Sequence, residues 1–193
     1  MKFQDAQKLV IKYLDSNSFK NREDAQTTIN AIPLLKTINS KGFITEDSQQ
    51  GINSSGYNSS SKLYYTIKER AYVNGFMKTK NAKKFISWIN NYTDKIAFIV
   101  YQVDNDIDFS ILPFITVTVS ATGKNKNELT NFISNTRIRT VLPEKDITFL
   151  KKNYKLNMTD SIEYISVIDP VYGRKATNVK GLITSIIDGL SQL

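Results

Sequence analysis

Apolar positions along this chain follow two rhythms, helical near its ends and alternating through much of the middle. Ala6, Leu9, Val10, Tyr13 and Leu14 share one helical stripe behind Asp5 as N-cap, and Asn17-Ser18 ends that segment. A second helix is expected over 33–40, with Pro33 in its first turn and Gly42 at the left-handed position past its end. Pro33 breaks continuity with any helical turn in 22–31. Residues 43–45 then read as a short strand. The Tyr- and Val-rich stretch 63–77 keeps Leu63, Tyr65 and Ile67 in one parity with Ala71, Val73 and Gly75, as one long strand or a hairpin pair.

Thr79 caps a helix whose inner face carries Ala82, Phe85, Ile86 and Ile89. Residues 96–103 are apolar on both faces, which suits a central strand covered on both sides. In 114–121, Ile115, Val117 and Val119 alternate with Thr116 and Thr118, the pattern of a half-exposed strand. Leu129, Phe132 and Ile133 are expected on a helix, and another helix starts near Pro143 and buries Ile147 and Leu150. Residues 162–168 form the last strand, and Leu182, Ile183, Ile186, Ile187 and Leu190 line a closing helix.

Helices and strands are interspersed without strict βαβ alternation. The expected fold class is therefore α+β: a single domain, 1–193, with a mixed or mostly antiparallel central sheet and helices packed on its faces. A length of 193 residues with 40% hydrophobic positions suits one core. The Ser/Asn/Gly run in 51–61 (GINSSGYNSSS) reads as a flexible loop, 52–61, forming a flap beside the polar segment that precedes it.

Composition removes whole classes of chemistry. With no cysteine or histidine there is no disulfide, thiolate nucleophile, Cys/His zinc site or Ser-His-Asp triad. Acid–base work would fall to carboxylates, lysine or tyrosine. No cofactor or metal site is expected: Gly-rich phosphate loops are missing, and Asp104, Asp106 and Asp108 lack the glycine and distal glutamate of a calcium loop. The net charge of +8, mostly lysine, favours anionic partners, nucleic acid among them through a basic surface. Lysines that merely solvate the surface are the plainer explanation, because no long basic block occurs. No apolar run approaches the roughly 18 residues of a membrane span. Met1–Asp5 lacks the apolar centre of a secretory signal, so the expected location is cytoplasmic, without a membrane partner.

Three clusters could carry binding. Thr45, Asp47, Ser48, Gln49 and Gln50 lead to Gly51, offering donors and acceptors beside a residue that admits close backbone approach. Arg70 and Tyr72 combine a bidentate anion partner with a stacking ring. Asp169, Tyr172 and Arg174 repeat that pairing where the last strand ends. The plainer alternatives are a polar turn, a surface pair of Arg70 with Glu69 or Asp47, and a rigid proline turn with Gly173 in a left-handed conformation.

The segments GFITEDSQQG (Gly42 to Gly51) and ERAYVNGF (Glu69 to Phe76) resemble a domain family, without an assigned activity, of actinobacteria and large DNA viruses. Its members share Gly-Phe-x-Thr-x-x-Ser-Gln-Pro-Gly and Gln-Arg-Ala-x-Val-x-Gly-Phe segments. The matching positions are Gly42, Phe43, Thr45, Ser48, Gln49 and Gly51, then Arg70, Ala71, Val73, Gly75 and Phe76. Gln50 replaces the pattern's proline, and Glu69 replaces its glutamine beside Arg70. The resemblance is clearest over 33–77. It implies that both segments belong to one site, and the Lys/Asn/Ile-rich composition resembles the viral members.

The expected function is non-enzymatic binding of a nucleotide-like or phosphate-bearing small ligand, as a viral accessory or sequestering protein. One alternative is a metal-independent enzyme acting on a nucleotide derivative, with Asp47 or Asp169 as acid or base. The other is a basic nucleic-acid-binding or virion structural protein.

Overall fold

The computed structural model describes residues 2–21, 29–92, 97–102, 114–127, 129–132, 137–139 and 162–193. The acidic turn at 104–108 and the helix expected near Pro143 lie outside these. Helix α1 (Phe3–Asp15) starts at Phe3, so Asp5 sits in its first turn, where a carboxylate complements the helix dipole, rather than at the cap. Phe3, Ala6, Val10 and Leu14 are buried, whereas Leu9 and Tyr13 of the expected stripe are exposed. Ser16 caps the short α2 (Asn17–Lys20) by accepting from the Phe19 N–H. Helix α3 (Ile32–Ser40) has Pro33 in its first turn, and Gly42 follows at φ +108°.

The strands are β1 (Phe43–Gln49), β2 (Ile52–Asn58), β3 (Leu63–Glu69), β4 (Tyr72–Lys78), β5 (Ala97–Gln102), β6 (Phe114–Thr116), β7 (Thr118–Gly123), β8 (Thr130–Phe132), β9 (Arg137–Arg139) and β10 (Ile162–Ile168). Helix α4 (Thr79–Tyr92) follows β4, and α5 (Leu182–Leu190) follows β10. The described residues form two four-stranded sheets, β1-β4-β10-β5 and β2-β3-β7-β8, and a separate β6-β9 pair. Every pairing among the described residues is antiparallel, and the α+β class holds.

Several local expectations change. The stretch 63–77 is neither one strand nor a hairpin. β3 and β4 belong to different sheets, and the chain turns between them at Arg70-Ala71, with Ala71 fully buried. The expected loop 52–61 is mostly strand. Its Ser and Asn residues are compatible with pairing because β3 supplies a Tyr/Ile-rich partner in unbroken register from Ile52↔Glu69 to Asn58↔Leu63. The Asn58 side chain accepts from the Ser60 and Ser61 N–H groups, and Lys62 at φ +57° completes the turn. Residues 130–132 pair with β7 instead of forming a helix, and 97–102 occupies an end of the first sheet's described order. The strand expected over 114–121 divides at the buried Val117 between two sheets.

Register sorts the first sheet's faces, since directly paired residues share a side. Thr45, Val73, Gly75, Met77, Ile165 and Val167 face one way, towards α3, where Asn39 brackets Thr45. Phe76 and Tyr164 face the other way and meet edge to face at 5.3 Å, beside a buried Ser166–Asn74 hydrogen bond of 2.6 Å. A bulge at Glu46 shifts β1 by one residue, so Asp47 lies opposite Asn74 and Gln49 opposite Tyr72. Among the described residues no helix is long and apolar enough to cross a membrane.

Candidate functional site

The three expected clusters meet where the chain passes from the second sheet to the first. Backbone hydrogen bonds fix the crossing. Arg70 N–H donates to Val117 O, Asp169 N–H to Ala71 O and Gly173 N–H to Glu69 O, each at 2.8 Å. The Gln50 side-chain oxygen, buried, accepts from the Ala176 N–H at 2.9 Å. Gly51 packs on the backbone of Arg174 so closely that a Cβ there would lie 2.0 Å from its carbonyl oxygen. Gly173, at φ +77°, packs against Asn53.

Much of the polar chemistry is spent within this junction. Asp169 is 0% exposed and receives the Arg174 Nε and a terminal guanidinium nitrogen at 2.5 Å each, and the Val171 N–H at 2.8 Å. That bidentate pair is a closed clasp, so Arg174, expected to meet phosphate, is held by a carboxylate instead. Thr45 is also structural. It accepts from Asn39 Nδ2 at 2.8 Å while its N–H donates to Asn39 Oδ1 at 3.0 Å, tying β1 to α3. Ser48 pairs with Val73 and so faces away from Asp47 and Gln49, which divides the polar run between two surfaces.

The remaining polar and aromatic groups of the junction form three pairs, of which Asp47 is exposed and the others half-buried. The Tyr72 hydroxyl donates to Asp47 Oδ2 at 2.8 Å. Burial, and next the Asp47 charge, push the phenol far above its ordinary range, so it stays protonated. Gln49 Nε2 donates to Glu69 Oε2 at 3.1 Å and to Arg70 O at 3.4 Å. The Arg70 guanidinium lies 4.4 Å over the Tyr172 ring, and its buried Nε has no hydrogen-bond partner among the described residues.

Glu69 is the group sequence reasoning missed; it figured only as a neutraliser of Arg70. Its signal was its place as the last residue of a strand in phase with Tyr65 and Ile67. Burial raises its pKa, partly offset by a hydrogen bond with Thr118. A raised carboxyl pKa means the native state favours the protonated form, so its stabilising contribution is present at low pH and lost as pH climbs through the native value. Glu69→Gln is therefore expected to gain more in urea midpoint over the parent at neutral pH than below pH ~4. An equal gain at both would refute the burial effect.

The family model described as "Domain of unknown function (DUF6919)" matches residues 2–192. No curated protein matches the chain.

Proposed function

The chain belongs to the DUF6919 family, and on that premise we propose that it is a non-enzymatic binding protein for a phosphate-bearing, nucleotide-like small ligand held at Arg70 and Tyr172. The observation that carries this reading is the stacked Arg70 guanidinium whose buried Nε lacks a partner among the described residues. An unpaired buried donor costs about 1–3 kcal/mol, and an anion is its natural complement. Stacking on Tyr172 fixes the plane of the fork, which limits the entropy lost on binding.

Binding without turnover is supported by the carboxylates. Asp169, one of the two carboxylates considered for acid–base work, is enclosed by Arg174 and the Val171 N–H, which favours a structural role for it. A sequestering role in a large DNA virus rests on the composition and the two-segment resemblance.

Calorimetry with ADP and pyrophosphate tests the proposal. Arg70→Ala is expected to weaken binding by roughly 1.5–3 kcal/mol, the worth of a hydrogen bond to a charged group. Arg70→Lys should recover only part, since a point charge replaces a planar fork. Absence of binding by the parent, or equal affinity in Arg70→Ala, would overturn it.

A further inference from the structure

A separate concavity lies on the second sheet. Register places Ile52, Ser54, Gly56 and Asn58 of β2, Leu63, Tyr65, Ile67 and Glu69 of β3, and Thr122 of β7 on one face. Every one of these except Gly56 lines a cavity of about 530 Å³, together with Ser61. The exception explains the shape. Gly56 has no side chain, and the Tyr65 ring lies across it, its hydroxyl 2.9 Å and Cζ 3.0 Å from where a Cβ would stand. The groove therefore has an aromatic platform flanked by aliphatic walls.

Its polar groups have a particular character. The hydroxyls of Ser54, Ser61 and Thr122 can both donate and accept hydrogen bonds, and Asn58, whose oxygen accepts from the Ser60 and Ser61 N–H groups, offers its amide N–H. The charged group in the lining is the Glu69 carboxylate, held by Gln49 and acceptor-only when ionised. A phosphate would meet that carboxylate at close range, so the groove is unsuited to the ligand proposed for Arg70, which follows Glu69 and leaves the strand with opposite parity. A cation would have to approach a chain of net charge +8 to reach one carboxylate.

We propose that this groove binds a neutral saccharide, with a sugar ring stacked on Tyr65 and its hydroxyls paired with Ser54, Asn58, Ser61, Thr122 and Glu69. Hydroxyls donate and accept together, matching the rim, and the C–H face of a sugar suits an aromatic surface. The proposal stands on Tyr65 and the β2–β3 face and does not depend on the Arg70 reading, although Glu69 borders both places.

The test is calorimetric or NMR titration of the full chain with maltotriose, cellotriose and N,N′-diacetylchitobiose. At least one is expected to bind saturably. Tyr65→Ala should weaken it roughly tenfold, about 1.4 kcal/mol, while Tyr65→Phe stays near the parent. If Tyr65→Ala loses its circular dichroism, Ser54→Lys serves instead, since a long side chain from a half-buried rim position fills the groove without altering the platform. Failure of all three sugars to bind overturns the proposal, as does binding unchanged in the readable variant. Tighter binding of spermidine than of any sugar, sensitive to the same substitution, would assign the groove to cations and equally overturn it.

Discussion

Gly51→Ala is expected to cost about 3 kcal/mol or more, a large fraction of the roughly 5–15 kcal/mol that holds an ordinary domain folded. The new Cβ would sit 2.0 Å from the Arg174 carbonyl oxygen, 2.7 Å from its carbon and 3.1 Å from its nitrogen. All three are backbone atoms, so no rotamer change relieves the clash. The backbone they belong to is itself pinned by the Gln50–Ala176 and Gly173–Glu69 hydrogen bonds. Separating the strands would break those bonds and leave buried groups unpaired. Gly56→Ala is the control, because its Cβ meets only the far end of the Tyr65 side chain, which can swing away. Urea denaturation followed by circular dichroism should show a large loss for Gly51→Ala and a small one for Gly56→Ala. Equal midpoints would mean that residues 51 and 174 are not in backbone contact.

Asp169→Ala is expected to lower stability by about 3–5 kcal/mol, the range for removing one partner of a buried ion pair. The penalty comes from the groups left behind: the Arg174 guanidinium, only 20% exposed, and the Val171 N–H both lose the Asp169 carboxylate. Arg174→Ala should also be severe, since it strands a fully buried carboxylate. The double variant should cost clearly less than the sum of the singles, because both substitutions break the same shared interaction. Additive costs in that cycle would show that the two side chains do not act as a unit. If Arg174 instead served a ligand, its removal would leave stability almost untouched and impair binding alone.

The parts of the molecule legible in sequence are those where local rules and tertiary packing agree. Pro33 and Gly42 bound α3, and Leu182, Ile186 and Leu190 mark the buried stripe of α5. Strand β10 shows why full burial erases periodicity: all seven residues are buried, Glu163 and Ser166 among them, so no alternation survives, yet its length and its Ile, Tyr and Val content suffice. Strand β2 was illegible for the opposite reason. Its Ser, Asn and Gly residues have weak strand preference alone, and pairing with β3 decides their conformation. The three polar clusters were readable as motifs. Their division of labour was not, because it depends on which partner lies within hydrogen-bond reach: Asn39 for Thr45, Ala176 for Gln50, Asp169 for Arg174. Glu69 and the groove needed the register of three strands, which no single segment encodes.

The extra residue in β1 has a genetic corollary. Losing the codon for Glu46 would restore an even ladder while each later residue kept its rung: Asp47 opposite Asn74, Ser48 opposite Val73 and Gln49 opposite Tyr72. A reading-frame-preserving deletion of three bases at this point would thus leave the polarity of both surfaces intact, whereas the same loss at Ser48 would turn Gln49 towards the helices opposite Val73.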